Sequence, residues 1–214
     1  GILSTSLNFT ADDLSVGNHT IYFKVKDEDG QWSPEVTSWV RVNAYPVLSN
    51  YTLSSSSVLR TSTSVISIQV TDTEDNNATL TVVAQYRANS GWKTSYLSTI
   101  WYDSSASKWK TNFTPPSSAT LGTYDIRIMV NDTDGASTGW TTYSDVINVT
   151  NNVPSLSNYA LSASTLLRNN TIVIGMNTTD AEDGESTHIV VVQYRATSGG
   201  WKTSHLSTVW YDSS

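Results

Sequence analysis

The chain has 214 residues, no cysteine, three histidines and a formal net charge of −7. The lack of cysteine excludes a disulfide framework and a cysteine-based zinc or redox site, and an acidic chain does not offer the basic surface that nucleic-acid binding requires. No apolar run approaches the roughly 18 residues needed to span a membrane, whereas a hydrophobic fraction of 38% is enough to bury a core.

Short runs of alternating apolar and polar residues predict β-strands. Ile66, Ile68 and Val70, for example, alternate with polar residues, and no segment has a helical period. In the central part of the chain we expect seven strands, near residues 47–53, 64–71, 80–87, 95–102, 108–114, 123–131 and 141–149. Seven short strands in about 100 residues predict an all-β fold of the immunoglobulin-like β-sandwich type.

The sequence repeats itself with a period of about 107 residues. Segments 86–105 and 194–214 agree at 17 of 20 positions once one inserted glycine is set aside, and segment 16–30 corresponds to 121–135. The chain therefore divides into the C-terminal half of one repeat (1–44), a complete repeat (45–152) and the N-terminal half of another (153–214).

Two explanations fit this division. The chain is a two-period stretch of a longer array, or the halves complete each other between neighbouring subunits, as in donor-strand pairing. The first is favoured because an isolated half sandwich would expose unpaired strand edges and a bare core. Joins with almost no linker favour a stiff rod of repeats.

One motif resembles a known class of repeats. The pattern G-x-H/Y-x-I-x-x-x-V-x-D-x-D-G occurs at 17–30 and at 122–135. It is similar to the end of the PKD-like and related immunoglobulin-like repeats of archaeal and bacterial extracellular surface proteins. The resemblance covers the last third of each repeat, and it implies a β-sandwich in a multidomain surface chain without an activity of its own.

Asn-x-Thr sequons predict a secreted glycoprotein at the cell surface, because each could accept an N-linked glycan. All are completed by Thr although Ser is also abundant, which is hard to obtain by chance. The alternative interpretation is that Thr is simply favoured in strands. The nine sequons are at Asn8, Asn18, Asn50, Asn77, Asn112, Asn131, Asn148, Asn169 and Asn177.

Two kinds of acidic loop recur, one between the second and third strands of the repeat and one between the sixth and seventh. In an immunoglobulin-like sandwich both lie at the pole where the preceding domain enters, so their carboxylates would repel unless a cation lies between them. Oxygen ligands without His or Cys suit Ca²⁺, although Asp-x-Asp-Gly is also ordinary turn chemistry. The candidate ligands are Asp72, Glu74, Asp75, Asp132 and Asp134, with their copies Asp180, Glu182, Asp183, Asp27 and Asp29.

Catalysis is not expected. His19, His188 and His205 align with Tyr124, Leu80 and Tyr96 in the other copies, so no imidazole is kept at one position of the repeat. The sequence also contains no nucleophile elbow, phosphate-binding loop or HExxH motif.

Trp92 and Trp201 follow glycine in a loop and are candidate contact aromatics. They would stack on sugar rings if exposed, or pack within the repeat or against a neighbour. Trp101 and Trp109, which lie in predicted strands, are expected in the core.

These features favour a structural extracellular protein whose tandem repeats form a filament, stalk or surface-layer element through repeated self-association. An adhesin or carbohydrate-binding module is the alternative, and accessory repeats of a secreted enzyme are the third interpretation. The partners expected are other copies of the chain and N-linked glycans, with no cofactor other than candidate Ca²⁺.

Overall fold

A computed structural model describes residues 6, 8, 10, 12, 14–204, 206 and 208–212. Its regular elements are almost all β-strands, so the predicted all-β fold class is confirmed. The strands are β1 (Gly17–Phe23), β2 (Val36–Val42), β3 (Val47–Leu53), β4 (Ser57–Leu59), β5 (Ser64–Thr71), β6 (Thr81–Arg87), β7 (Trp101–Asp103), β8 (Lys108–Phe113), β9 (Gly122–Asn131), β10 (Thr141–Thr150), β11 (Ser155–Leu161) and β12 (Ile174–Thr179), followed by a 3-10 turn at Glu185–Thr187.

The central part of the chain forms two four-stranded sheets. One has the strand order β3-β5-β8-β7 and the other has the order β4-β10-β9-β6. All neighbouring strands in them are antiparallel except β4, which pairs with β10 in parallel. These orders match the two sheets of an immunoglobulin-type sandwich, with β4 added at the edge beside the last strand.

The core lies between these two sheets. Ile66 and Ile68 of β5 face Ile126 and Ile128 of β9, and all four side chains are buried. Their neighbours in sequence are polar or partly exposed, because successive side chains of a strand point to opposite faces. The apolar residues of the alternating pattern therefore form the inner surface of the sandwich, and the polar residues form its outer surface.

The flanking segments contain pairs of strands that reproduce parts of the central sheets. β1 pairs with β2 in the register Gly17 to Val42, as β9 pairs with β10 in the register Gly122 to Val149. β11 pairs with β12 and has a register shift between Ser157 and Ala160, which corresponds in sequence to the shift between Ser49 and Thr52 in β3. The boundaries drawn at 44 and 152 stay a prediction of the sequence.

One predicted strand is mostly irregular. Within 95–102 only Trp101 and Tyr102 belong to a regular strand, β7. The preceding residues form a turn in which Leu97 N–H donates to Thr94 O at 2.8 Å, and Ser98 N–H donates to Asn112 O at 2.9 Å. The placement of Trp101 in the core was wrong, since it lies on the edge strand β7 with 38% of its surface exposed. Trp109 does pack against the core.

Strand β4 had no counterpart among the predicted strands. It consists of three residues and exists through its parallel pairing with β10, about 90 residues further along the chain. A segment this short has no periodicity of its own, so only its distant partner defines it as a strand.

Candidate functional site

The acidic loop after β5 is built as a tight turn around one carboxylate. Asp72 Oδ1 accepts hydrogen bonds from the N–H groups of Glu74 at 2.9 Å and Asp75 at 3.0 Å. This is the geometry in which an aspartate side chain replaces a backbone turn. The copy after β12 folds in the same way, with Asp180 Oδ1 accepting from Glu182 N–H at 2.8 Å and Asp183 N–H at 3.2 Å.

The acidic loop after β9 has its own buried carboxylate. Asp132 Oδ1 accepts from the N–H groups of Asp134 at 3.0 Å and Ala136 at 2.8 Å. The structure brings this loop against the first one, because Thr133 donates to Asp75 through its N–H at 3.0 Å and through its hydroxyl at 2.8 Å.

The segment that follows β2 completes this site, which we call the acidic junction and define by residues 41–44, 72–75 and 132–134. Asn43 Nδ2 donates to Asp132 Oδ2 at 2.7 Å, and Ala44 N–H donates to Glu74 Oε1 at 3.0 Å. The Arg41 guanidinium forms a salt bridge with Asp134 at 2.6 Å and lies 3.6 Å from Asp75. The carboxylates are therefore balanced by one guanidinium and by donors from the preceding segment.

A corresponding contact occurs 108 residues later, after β10. Asn152, the copy of Ala44, donates its N–H to Glu182 Oε1 at 2.9 Å and its side-chain Nδ2 to the same oxygen at 2.7 Å. Asn152 also donates to Arg60 O at 3.1 Å, which joins this segment to the body of the central sandwich. Strand pairing shows which residue corresponds to Arg41. Arg41 lies opposite Asn18 in the pair β1–β2, and Asn148 lies opposite Thr123 in the matching pair β9–β10, so the neutral Asn148 occupies the position of Arg41.

The surroundings of these carboxylates favour their charged forms. The backbone N–H and hydroxyl of Thr133, together with Arg41, lower the pKa of Asp75. Burial opposes ionisation of Asp132, but hydrogen bonds from Asn43 and from the backbone of its loop bring its pKa below the ordinary value. The N–H of Glu182 is the main cause of the lowered pKa of Asp180. Donors that bind a carboxylate stabilise its ionised form.

Calcium at the acidic junction stays a prediction. Within residues 14–204 and the other described positions, no group of three or more His, Cys, Asp or Glu side chains is arranged to hold a metal ion. Asn43 Oδ1, Asp72 Oδ2 and Glu74 Oε2 are nevertheless buried oxygens without a hydrogen-bond partner in the described structure. Of the remaining candidates, Asp27 Oδ1 accepts from Gln31 N–H at 2.7 Å, and Asp29 is exposed in the same turn.

Trp92 is packed within its own repeat. Its indole ring lies under two guanidinium groups, that of Arg87 at 4.6 Å and that of Arg127 at 4.4 Å from the ring centroid. Arg127 also lies over Trp140 at 4.1 Å, so cations and indole rings alternate along this face of the sheet. Each such contact contributes about 0.5–1 kcal/mol at an exposed site. A ring covered in this way is poorly placed to stack on a sugar.

Trp201 has a more open environment than its copy. The Arg195 guanidinium lies 4.5 Å from its ring centroid, and 59% of the residue surface is exposed. Arg127, which covers Trp92 in the central repeat, is replaced by Tyr22 at the corresponding position of the first half repeat.

The histidines take part in local hydrogen bonds. His19 Nε2 lies 2.6 Å from Ser15 O, and His188 Nδ1 lies 2.8 Å from Thr178 Oγ1. His205 lies outside the described residues.

The sequon asparagines all lie at or near the surface. Six are exposed, namely Asn8, Asn18, Asn50, Asn148, Asn169 and Asn177, and three are half-buried, namely Asn77, Asn112 and Asn131. Whether they carry glycans stays a prediction.

A cavity of about 10 Å³ lies inside the sandwich between Ile66, Ala84 and Ile100. That volume corresponds to about one water molecule. In the part of the chain described here, no helix is long and apolar enough to cross a membrane.

The sequence predicts the acidic loops but does not reveal the residues that neutralise them. Arg41, Asn43 and Ala44 lie at the end of a strand and carry no motif. One signal was available, because the chain has only 12 basic residues and Arg41 lies directly before the repeat boundary that the sequence predicts at residue 44.

No family model matches the chain, and no curated protein matches it. Among solved structures, the chain is similar to the crystal structure of domains 4 and 5 of the S-layer protein SbsC, at 18% identity and a TM-score of 0.30, over 64% of this chain and 74% of that chain. It is also similar to the structure of surface layer protein SbsC domains 1–6, at 16% identity and a TM-score of 0.32, over 84% of this chain and 32% of that chain. A third similar structure is the crystal structure of the S-layer protein rSbsC(31-844), at 15% identity and a TM-score of 0.28, over 86% of this chain and 34% of that chain. The chain spans about a third of the length of these last two structures. Likenesses at this level indicate no function for the chain.

Proposed function

We propose that this chain is a structural segment of an extracellular surface protein, in which tandem immunoglobulin-like repeats build a stalk, filament or surface-layer element by self-association. The observation that carries the proposal is the recurring contact between successive units. Ala44 N–H donates to Glu74, and its copy Asn152 N–H donates to Glu182, at 3.0 Å and 2.9 Å.

These contacts favour units that are docked against one another. Inter-domain motion is the default in multidomain chains unless an interface restrains it. Here the restraint consists of hydrogen bonds to charged groups, which are worth about 1.5–3 kcal/mol each, and the Arg41 salt bridge reinforces the first junction. A stiff junction used twice suits a protein whose role is to span a distance.

The sequons support an extracellular location. All nine asparagines lie at or near the surface, where an N-linked glycan could be accommodated without opening the core. The resemblance of segments 17–30 and 122–135 to surface-protein repeats points to the same location.

We further propose that the chain is not an enzyme. The support is that histidine is exchanged for Tyr or Leu between copies of the repeat and that the acidic side chains are engaged in turns and junction contacts. An acid pair in a glycosidase must instead face a cleft across a substrate.

A glycan-binding adhesin is the second candidate, and the exposed ring of Trp201 is the observation that favours it. Binding to a glycan array that is lost in Trp201→Ala and kept in Trp92→Ala would support this candidate. Absence of binding to any glycan would leave the structural role in place.

The structural proposal is tested by scattering from the dilute, monomeric chain. Wild type should give the profile of an elongated particle with one arrangement of its units. Glu74→Ala combined with Glu182→Ala should give a broader range of dimensions, because both backbone donors lose their acceptor. Glu28→Ala removes an exposed carboxylate from a turn and is the matched control. Identical profiles for wild type and the double variant would contradict the proposal.

A further inference from the structure

The sequons of successive repeats stand on opposite strands of one strand pair. Asn18 lies on β1 and begins a sequon, directly opposite Arg41 on β2. In the matching pair of the central repeat, Thr123 of β9 takes the place of Asn18 and begins no sequon, whereas Asn148 of β10 takes the place of Arg41 and begins one. The residue that carries the sequon differs, but its place on the surface of the sheet is the same.

A second strand pair shows the same exchange on the other sheet. Asn50 of β3 begins a sequon, and its Nδ2 donates to Gln69 Oε1 of β5 at 2.6 Å. In the copy, Asn158 of β11 begins no sequon, whereas Asn177 of β12, the copy of Gln69, begins one. The registers agree, because Gln69 and Asn177 each lie opposite the serine that precedes the asparagine of the first strand.

Both places lie on the outer faces of the sandwich. Asn148 stands between the buried residues Ile147 and Val149, so its side chain points away from the core. Gln69 likewise has a buried residue on either side. Thr123 and Asn148 are exposed in the central sandwich, where both sheets are fully formed. A glycan at either place would therefore extend into solvent.

The surroundings of Asn18 leave room for a sugar ring. An open groove there is lined by Asn18, Trp39 and Arg41, and 72% of the surface of Trp39 is exposed. An indole ring offers an apolar face on which a sugar can stack. The charge of Arg41 is already paired with Asp134, so the groove suits an uncharged ring better than an anion.

The outer faces also lack the charges that usually keep β-sheets apart. Charged residues make up 14% of the chain, whereas about a quarter is usual in globular domains. Only one of the five exposed residues of β10 carries a charge; they are Thr141, Thr142, Ser144, Asp145 and Asn148. A bulky and strongly hydrated glycan can replace such charges in preventing lateral association.

We propose that each outer face of the sandwich carries one N-linked glycan at a fixed place, and that the place is common to successive repeats although the modified residue is not. The first place is the opposed pair 18 and 41, or 123 and 148, and the second is the pair 50 and 69, or 158 and 177. The modified residues are Asn18, Asn148, Asn50 and Asn177. These glycans cover both outer faces and restrict self-association to the remaining surfaces. The inference rests on the proposed extracellular function, which N-glycosylation requires.

One glycan for each pair is also what the geometry allows. Directly opposed residues of an antiparallel pair have Cβ atoms about 4.5–5.5 Å apart, which is too close for two branched sugars. In each of the four pairs only one residue begins a sequon.

The glycan donor is a lipid-linked oligosaccharide phosphate. The asparagine amide nitrogen forms a bond to the anomeric carbon of the sugar, and the bond from that carbon to the phosphate oxygen breaks. The lipid phosphate leaves with the electron pair, and the amide releases one proton to solvent.

The sequon of the second place can be moved across its pair by small changes. Gln69→Asn begins a new sequon, because Thr71 is already in place, and Thr52→Ala removes the old one. Thr52→Ala leaves Asn50 itself, whose φ of 49° lies in the left-handed region that asparagine tolerates. The full chain and its variants are made in a host that attaches N-linked glycans, and their glycopeptides are compared by mass spectrometry.

Wild type should be modified at Asn50, and the variant combining Thr52→Ala with Gln69→Asn should be modified at position 69. Gln69→Asn alone contains both sequons and should carry one glycan per molecule at this pair, because the two side chains are in contact. Molecules with glycans on both residues, or a wild-type chain unmodified at Asn18 and Asn148, would overturn the inference.

Light scattering measures what the glycans do. Wild type and the variant with the moved sequon should have the same weight-average mass at every concentration. Thr52→Ala combined with Asn177→Gln removes the second glycan from both copies, and its mass should rise with concentration to that of a dimer or more. The same chains from a host without N-glycosylation are the control and should not differ from one another.

A glycosylated Thr52→Ala, Asn177→Gln chain with the mass of wild type at every concentration would overturn the shielding role. The structural function is tested separately, because the contacts of Glu74 and Glu182 involve no sequon. Their variants change the scattering profile of the monomer whether or not the glycans are present.

Discussion

At the scale of single residues, Tyr51 brings a polar hydroxyl group into the mainly apolar interior of the sandwich. Its ring stacks on Tyr143 with centroids 3.9 Å apart. Its hydroxyl is buried, and no hydrogen-bond partner for it occurs in the described part of the chain. Burial, and then the neighbouring Tyr143, raise the pKa of Tyr51 well above its ordinary value.

Replacing this residue separates the contribution of the ring from that of the hydroxyl. Tyr51→Phe should leave the free energy of unfolding unchanged or raise it by about 1 kcal/mol, because an unsatisfied buried hydroxyl is removed. Tyr51→Ala should lower it by about 3 kcal/mol, because the stacked ring is lost. Urea unfolding followed by tryptophan fluorescence measures both values. A loss in Tyr51→Phe as large as that in Tyr51→Ala would show that the hydroxyl has a partner.

At the scale of elements, the ends of β2, β5 and β9 meet through charged and polar side chains instead of apolar ones. Burial is the largest influence on Asp132 and opposes its ionisation, but hydrogen bonds from Asn43 and its own loop still lower its pKa. Hydrogen bonds are the main cause of the lowered pKa of Asp75 in the same junction and of Asp125 near the start of β9. Such groups bind protons at lower pH in the folded chain than in the unfolded chain. They stabilise the fold above the ordinary carboxylate pKa near 4, and that contribution is lost as the pH falls through their lowered values.

The melting temperature should consequently be nearly constant from neutral pH down to about pH 5 and fall steeply between about pH 4 and pH 2. Asp75→Asn should show a shallower fall over the same range, because one of the groups responsible no longer titrates. The measurement is thermal unfolding by circular dichroism across the pH series. The same slope in wild type and Asp75→Asn would show that Asp75 is not part of the acid response.

At the scale of the whole molecule, the contact between the segment after β2 and the central sandwich depends on what balances the acidic junction. Arg41 serves Asp134 and Asp75, while Asp72 and Glu74 each keep one buried oxygen without a partner within the described structure. The corresponding contact of Asn152 with Glu182 has no arginine beside it at the position of Arg41, where Asn148 stands. Calcium would therefore matter most to a junction that lacks the guanidinium.

The calcium hypothesis predicts that millimolar Ca²⁺ raises the melting temperature and that chelator reverses the rise, since a ligand bound only by the folded state stabilises it. Arg41→Gln should enlarge the effect, because it removes the competing cation. Magnesium is the control, since it demands a smaller and more regular site. A melting temperature that is the same with Ca²⁺ and with chelator, in wild type and in Arg41→Gln, would contradict the hypothesis.

Much of this architecture follows from local patterning. The alternation of Ile66, Ile68 and Val70 predicted a strand with one buried face, and six of the seven predicted strands match β3, β5, β6, β8, β9 and β10 to within one residue at either end. The acidic loop after β9 was predicted because Asp-x-Asp-Gly has turn chemistry of its own, and the acidic loop after β5 because its carboxylates recur 108 residues later. Such features need only neighbours in sequence, so a sequence is sufficient to predict them.

Other features depend on partners far away in the chain. Strand β4 exists only beside β10, Trp92 is covered by Arg127 from another strand, and the carboxylates of the junction are paired with Arg41 from strand β2. Segments 81–87 and 189–195 show the same dependence most directly, since nearly identical residues form a strand in one place and not in the other. A strand is completed by hydrogen bonds to its neighbour, so its sequence fixes the propensity and the inward-facing residues, while the presence of a partner edge fixes whether the strand forms.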